Sequence, residues 1–408
     1  VVDGENEGAA NNRFSGILFS RSGGLVSNVE TVRTQVSDTS GAQRGYGIAQ
    51  LNSDNVPRKL RVFNSLIHQF QKAGIQAAGV AGTGLTLQVD DTEIVGRGNT
   101  GTQGQNGITT QQGTKLVATG NTIRDLSYLG DDNASGMLLY GGGASTIADN
   151  RFENVQVGVY SFTASGSDRV SITGNTFTGQ AESGTDPGDY TGVSGVYAED
   201  GEYDISGNTF EMVPDPTNDP LVGIELIPSD NGLPVKANGN TFTNADVGIL
   251  ARPGAVGNLD LSATGNRIAG NEVGIQNQSS DPILARNNWW GANGGANAPG
   301  ADATVGDDIA VNPHLVMTLN ASPSTIYSDE DESQITASIL RNSNGGQPGV
   351  GFPATEVSFG TDLGTIASSA QTEGGRAVAT LTSTNETGTA AVEAELDGQV
   401  MSTPVAIQ

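Results

Sequence analysis

The residues best suited to chemistry follow a series of glycine–hydrophobic pairs at constant offsets. Tyr160, Tyr197 and Glu225 each come two residues after such a glycine, and Glu199 and Arg252 come four residues after one. Because side chains alternate between the two faces of a strand, these residues share one outer face if each pair begins a strand. Elimination from a uronate needs a cation at the carboxylate and a base such as arginine, lysine or tyrosine. We therefore predict a ligand-binding face there, with Tyr197, Glu225 and Arg252 as the candidates for catalysis.

Acidic loops precede three of these strands and offer a candidate metal site. Calcium takes six to eight oxygen ligands, which carboxylates on neighbouring loops could supply. Aspartate beside proline or glycine is also ordinary turn chemistry, so a purely structural role stays open. The fold itself needs no cofactor, and Ca²⁺ is the one considered. The candidate ligands are Asp131, Asp132, Asp186, Asp189, Asp215 and Asp219.

The elements that would position these residues are indicated by a recurrent asparagine phrase. Short runs of alternating apolar residues precede it, as in Val170-Ser171-Ile172, and such alternation is typical of strands. A tight bend between strands favours a positive φ, which we predict at each asparagine, and stacked amides can hydrogen-bond from one repeat to the next. The predicted ladder consists of Asn121, Asn150, Asn175, Asn208, Asn240, Asn266 and Asn287.

Glycine–hydrophobic pairs between the asparagines add a third strand to each repeat. The repeat length varies, and coils of strands tolerate this variation because extra residues can bulge out at the turns. Counting weaker repeats near Leu25, Leu60 and Leu85, we predict about ten coils. The sequence therefore indicates an all-β solenoid.

The coils resemble right-handed parallel β-helices of the pectate-lyase-like superfamily, and Asn287-Asn288-Trp289-Trp290-Gly291 resembles the phrase that closes them. Adjacent strand residues point to opposite sides, so one tryptophan should cover the last coil while the other lies outside. This makes Trp289 and Trp290 the predicted cap. The resemblance includes polysaccharide lyases and hydrolases, but their Asn-Thr-Asp, Gly-His-Gly, Arg-Ile-Lys and Asp-Pro-His phrases are absent here.

Beyond Val316 the pattern changes to strands separated by turns at the spacing of a β-sandwich. Segments such as Ile335–Leu340 and Ala377–Thr382 resemble bacterial Ig-like domains of group 1, the invasin and intimin type. We therefore predict two domains, a parallel β-helix over residues 1–317 and an Ig-like β-sandwich over residues 318–408.

Composition limits the environment and the partners. The 408 residues include no cysteine and two histidines, His68 and His314, and no apolar run is long enough to span a membrane. The formal net charge of −26 disfavours nucleic acid as a partner. No signal peptide is visible at the first residues. We expect an extracellular or cell-surface location.

Two functions remain open from the sequence. The first is a structural or adhesive surface protein, a rigid rod with an Ig-like module, which could assemble head to tail because nothing in the first residues covers the first coil. The alternative is a polysaccharide-binding protein, lyase or hydrolase that uses the flank from Tyr160 to Arg252. Missing catalytic phrases favour the non-catalytic function.

Overall fold

The computed structural model describes residues 1–8, 14–36, 41–80, 84–130, 132–163, 168–178, 193–213, 220–228, 232–254 and 258–408. Every regular element in these ranges is a β-strand, which confirms the predicted all-β class. The first thirty-two strands wind into a solenoid, and the last nine form a sandwich.

Short strands of two to eight residues make up the solenoid. The first sixteen are β1 (Val2–Asp3), β2 (Ser15–Ser20), β3 (Gly24–Ser27), β4 (Glu30–Val32), β5 (Tyr46–Leu51), β6 (Lys59–Phe63), β7 (Leu66–His68), β8 (Ala73–Ala78), β9 (Thr86–Asp90), β10 (Glu93–Thr100), β11 (Asn106–Gln111), β12 (Lys115–Thr119), β13 (Thr122–Tyr128), β14 (Ser135–Gly142), β15 (Ser145–Ala148) and β16 (Arg151–Val155). The next sixteen are β17 (Val157–Thr163), β18 (Arg169–Thr173), β19 (Thr176–Thr178), β20 (Val193–Glu199), β21 (Glu202–Ser206), β22 (Thr209–Glu211), β23 (Leu221–Ile227), β24 (Leu233–Asn238), β25 (Thr241–Thr243), β26 (Val247–Ala251), β27 (Leu259–Thr264), β28 (Arg267–Ile268), β29 (Val273–Asn277), β30 (Ile283–Leu284), β31 (Ala303–Val305) and β32 (Ile309–Ala310).

Three parallel sheets run the length of the solenoid. Sheet A takes every third strand from β1 to β28, sheet B every third strand from β2 to β29 and then β31, and sheet C every third strand from β3 to β30 and then β32. Ten turns of the described chain contribute one strand to each sheet, and β31 and β32 begin a further turn. This is close to the prediction of about ten coils.

A stack of aromatic rings fills the middle of the solenoid. Phe152, Phe177, Phe210 and Phe242 lie on successive strands of sheet A, with ring centroids 4.7–4.9 Å apart and ring planes within 4° of parallel. These rings pack against the glycines of the glycine–hydrophobic pairs. A Cβ on Gly195 would lie 2.5 Å from a carbon of the Phe210 ring, so the glycine is needed where sheet B meets this stack.

The bend before each strand of sheet A has its positive φ one residue earlier than predicted. Gly120, Gly174 and Asp149, which immediately precede ladder asparagines, have φ values of 67°, 66° and 55°. The prediction of a positive φ at the asparagines themselves is therefore wrong for these bends. Glycine occupies most of these positions because it adopts this conformation without steric cost.

The asparagine side chains instead form hydrogen bonds between successive coils. The Oδ1 atom of Asn208 accepts hydrogen bonds from the backbone N–H and the Nδ2 group of Asn175, at 2.9 and 3.0 Å. Its own Nδ2 group donates to the carbonyl of Ile172 at 2.8 Å and to Oδ1 of Asn240 at 3.0 Å. The same pattern links buried asparagines from Asn121 to Asn266.

Asn287 is not a member of this ladder, which corrects the prediction. The last place belongs to Asn288, whose Oδ1 atom accepts from the backbone N–H of Asn266 at 2.9 Å. Asn287 has a φ of 57° and so holds the position that glycine holds in other coils. Asparagine tolerates this conformation better than most residues, so a pair of asparagines can fill both places.

The sandwich consists of a four-stranded and a five-stranded sheet, as expected of an Ig-like domain. Its first strand begins at Leu315, three residues before the predicted boundary. Its strands are β33 (Leu315–Ser322), β34 (Thr325–Ile326), β35 (Glu332–Asn342), β36 (Glu356–Thr361), β37 (Thr365–Ile366), β38 (Ser369–Gln371), β39 (Arg376–Thr382), β40 (Gly388–Leu396) and β41 (Gln399–Ile407).

Two buried tryptophans lie where the solenoid meets the sandwich. Trp290 packs in the solenoid core, whereas Trp289 packs with the core of the sandwich. Trp289 Nε1 donates to Asp397 Oδ2 at 2.8 Å, and Arg267 Nε donates to the same oxygen at 3.0 Å. An apolar contact and a charged contact thus hold the sandwich against the last coils.

Candidate functional site

The five predicted ligand-binding residues lie on the outer face of sheet B or at its edge. The register pairs Tyr160 with Tyr197 and Tyr197 with Glu225 on successive strands. Glu199 lies two residues farther along β20, and Arg252 directly follows β26. The structure therefore brings all five into one neighbourhood.

The two tyrosines and Glu199 form a half-buried cluster. The rings of Tyr160 and Tyr197 meet edge to face with centroids 4.5 Å apart, and the Tyr197 hydroxyl donates to Glu199 Oε1 at 2.8 Å. Burial raises the pKa of Tyr160 to about 12, and burial followed by the charge of Glu199 raises the pKa of Tyr197 still further. Burial also raises the pKa of Glu199, although the hydrogen bond from Tyr197 opposes the change. Both phenols are therefore protonated at neutral pH.

Glu225 is fully buried and both of its oxygens are occupied. Oε1 accepts from Arg252 Nε at 2.6 Å, and Oε2 accepts from Ser194 Oγ at 2.8 Å. Removing one partner of such a pair leaves an uncompensated buried charge, so the pair is tied to the stability of the fold. Tyr197 has 8% of its surface exposed. All three candidates for catalysis are thus engaged with neighbouring side chains.

Of the six predicted calcium ligands, Asp132 alone falls within the described ranges, where it is exposed. Asp131, Asp186, Asp189, Asp215 and Asp219 lie outside the described residues. Within the described part of the chain, no three histidine, aspartate or glutamate side chains come together as a metal site. Calcium binding therefore stays a prediction.

An open groove continues along sheet B from the tyrosine cluster toward the N-terminus. It has a volume of about 530 Å³ and crosses the outer face of β8, β11, β14 and β17. Tyr46, Tyr140 and Tyr160 line it, and Gln76 and Gln111 lie between them. The groove is thus lined by aromatic rings and amides.

Three residues that line the groove each have a buried side-chain oxygen without a hydrogen-bond partner in the protein. These oxygens are Thr109 Oγ1, Asn133 Oδ1 and Ser135 Oγ. Buried polar atoms are nearly always paired in proteins, so these three oxygens are exceptions, and their burial keeps them out of reach of a ligand in the groove. Tyr140 adds a ring that is 58% exposed and lies 5.7 Å from the Phe162 ring. Exposed aromatic faces beside hydrogen-bonding groups suit ligands with one apolar side and many hydroxyls.

Among the described residues that line this groove, Lys72 and Asp132 carry the only charged side chains. Lys72 Nζ donates to the carbonyl of Gly104 at 2.6 Å. Burial lowers the pKa of Lys72, and the charge of Asp132 acts in the opposite direction. Within the described lining, these two opposite charges offset each other.

The sequence analysis missed these groove residues although the same pattern marks them. Gln76, Thr109 and Leu138 come two residues after Gly74, Gly107 and Gly136, the offset that was used for the predicted face. The register places all three in the same row as Tyr160. Extending the pattern toward the N-terminus would have found them.

A larger groove of about 920 Å³ lies between sheet A and the sandwich. Two carboxylates that line this groove already form hydrogen bonds within the protein. Asp302 accepts hydrogen bonds from the backbone N–H groups of Gly270 and Asn271, and Asp397 binds Arg267 across the junction. Neither of these two carboxylates is therefore free for a ligand.

Two protein-family models match the chain. Residues 9–212 match the family described as periplasmic copper-binding protein (NosD), and residues 316–408 match invasin, domain 3. The chain belongs to the NosD family. No curated protein sequence matches it.

The residues present do not fit the copper of this family's description. Copper favours thiolate, thioether and imidazole ligands, and the chain has no cysteine, two histidines and four methionines. His68 Nε2 is bound to Glu30 Oε1 at 2.9 Å, and Met137 and Met212 are buried among apolar residues. His314 lies at the junction with the sandwich, where both ring nitrogens meet oxygens of Asn312 and Asn293.

Several solved structures resemble parts of the chain. The adhesin InvE of Yersinia pseudotuberculosis is 29% identical over 22% of this chain and 26% of its own, with a TM-score of 0.19. A C-terminal fragment of intimin, solved with the intimin-binding domain of its translocated receptor, is 20% identical over 23% of this chain and 32% of its own, with a TM-score of 0.19. The tailspike of E. coli bacteriophage HK620, solved with a pentasaccharide, is 9% identical over 94% of this chain and 86% of its own, with a TM-score of 0.27.

The chain spans 14–32% of the length of the first three matching structures. All of these TM-scores are below 0.5, so the likenesses carry no argument about ligands. Across the described ranges, the structure contains no helix of the length and apolarity that a membrane span requires.

Proposed function

We propose that this chain is an exported adhesive protein of the periplasm or the cell surface, in which the solenoid binds polysaccharide in the groove of sheet B. The observation that carries the proposal is the exposed ring of Tyr140 beside the amides of Gln76 and Gln111 in the open groove. Sugars supply both hydroxyl partners and an apolar face that stacks on such rings. The two matching families, a periplasmic protein and invasin, support the location and the adhesive role.

The contacts at the junction favour a rigid connection between the solenoid and the sandwich over two loosely linked domains. Trp289 is fully buried among sandwich residues, and Asp397 binds both Trp289 and Arg267. Buried contacts of this kind oppose the free domain motion that small polar interfaces allow. A ligand held on the solenoid would therefore keep a fixed orientation relative to the sandwich.

We propose no catalytic role for the residues predicted as candidates. Both oxygens of Glu225 are occupied, and the phenol of Tyr197 is hydrogen-bonded to Glu199. Head-to-tail assembly into a filament stays a prediction, and electron microscopy of the purified chain is its test. Dispersed rods at high protein concentration would count against assembly.

Binding to a panel of immobilised bacterial and plant polysaccharides tests the proposal. Tyr140→Ala should weaken the binding of any retained polysaccharide about tenfold, because a stacked ring and its buried area contribute about 1.4 kcal/mol. Tyr327→Ala is the matched control, since Tyr327 is 69% exposed on the sandwich, away from the groove. Equal losses in the two variants, or no retention on any polysaccharide, would refute the groove as a binding site.

A further inference from the structure

The groove repeats the same positions from coil to coil. Gln76, Thr109, Leu138 and Tyr160 pair in register on four consecutive strands, which lie about 4.8 Å apart in a sheet. A second row beside it contains Gln111 and Tyr140, also paired in register. A ligand that crosses these coils therefore meets an equivalent position at each step along the solenoid axis.

This periodicity favours a polymer over a single small molecule. A compact ligand would need groups converging on one point, whereas these side chains are spread in rows parallel to the axis. Linear glycans repeat one ring after another and can present one ring to each coil.

The charges favour an uncharged polymer. Lys72 and Asp132 have opposite charges, and the remaining lining residues are amides, hydroxyls, tyrosines and one leucine. The chain as a whole carries a formal charge of −26, which repels a polyanion at long range. Amide groups offer a donor and an acceptor together, which matches neighbouring sugar hydroxyls.

Building on the proposed function, we infer that the groove binds a linear, uncharged polysaccharide that lies along the solenoid axis with about one sugar ring per coil. Tyr140 provides the stacking surface, and Gln111 on the preceding coil binds hydroxyls of the adjacent ring.

Calorimetric titration with oligosaccharides of increasing length tests this inference. Uncharged series such as cello-, xylo-, malto- and chito-oligosaccharides are compared with oligogalacturonates. For the series that binds, affinity should rise with each added ring up to about four or five rings and then level off, because four consecutive strands line the groove. Raising the salt concentration from about 50 to 500 mM should change that affinity less than twofold, since no ion pair forms.

Gln111→Ala should weaken the pentasaccharide about fivefold, as expected for one lost hydrogen bond. Gln276→Ala is the matched control, because Gln276 lies on the same face of sheet B but outside the groove. Tighter binding of oligogalacturonate than of uncharged chains, or a monosaccharide that binds as well as a pentasaccharide, would overturn the inference while leaving a Tyr140-dependent binding site in place. Absence of binding by every saccharide would overturn the proposed function as well.

Discussion

Replacing Asn208 by alanine tests whether the asparagine ladder holds the coils together. The Oδ1 atom of Asn208 is the acceptor for two buried donors of Asn175, the backbone N–H and one hydrogen of Nδ2. Alanine leaves both donors without a partner, and each orphaned donor costs about 1–3 kcal/mol. We therefore expect Asn208→Ala to lower the free energy of unfolding of the solenoid by about 2–6 kcal/mol.

Equilibrium denaturation followed by circular dichroism measures this loss, and hydrogen exchange locates it. Because each coil of a solenoid contacts only its neighbours, exchange should accelerate first at the backbone N–H of Asn175. Asn55→Ala is the control, since Asn55 is exposed and such substitutions change stability by about 0.5 kcal/mol or less. A loss for Asn208→Ala no larger than that of the control would refute the assigned role of the ladder.

Three further substitutions test the core, the junction and the pH dependence. Phe210→Ala removes a buried ring from the aromatic stack and should cost about 3–5 kcal/mol in urea denaturation; a loss below about 1 kcal/mol would contradict this. Asp397→Ala leaves Arg267 and Trp289 Nε1 unpaired and should speed proteolysis between solenoid and sandwich, whereas an unchanged cleavage rate would argue against a rigid junction. The pKa of Glu199 is raised in the folded protein. The contribution of Glu199 to stability is therefore complete below the ordinary glutamate pKa and is lost as pH rises through the raised pKa. Wild type should therefore lose stability relative to Glu199→Gln as pH rises above the ordinary glutamate pKa, and parallel stability curves would contradict this.

Most of the solenoid could be predicted because its repeats are local. Most coils have a glycine where sheet B faces sheet A and an asparagine after the bend, and both recur in the sequence, as at Gly195 and Asn208. The error at Asn287 arose because two asparagines stand together and either fits the phrase. Hydrogen bonding to Asn266 selects Asn288, and this contact is between coils and not visible in the local sequence.

The candidate site was less predictable because burial depends on neighbours that are distant in sequence. Alternation along the strands relates Tyr197 to Glu225, but it does not reveal that Arg252 and Ser194 occupy the carboxylate. The groove was missed for a different reason. A groove is open where no loop or side chain covers it, and a local sequence motif does not show this.

The outer face of sheet B is open in one half of the solenoid and closed in the other. The difference follows from the row of residues that directly precede the glycines of the glycine–hydrophobic pairs. In the open half this row contains Asn106 and Ser135, which are polar and line the groove. In the closed half it contains Val222 and Val247, which pack with Leu250 in an apolar cluster on the outer side of the sheet. One backbone thus supports two surfaces, because substitutions at outward positions leave the inward core and the asparagine ladder unchanged. A ligand site on such a solenoid is specified by a few outward residues per coil, while the inward residues fix the spacing at which the ligand must repeat.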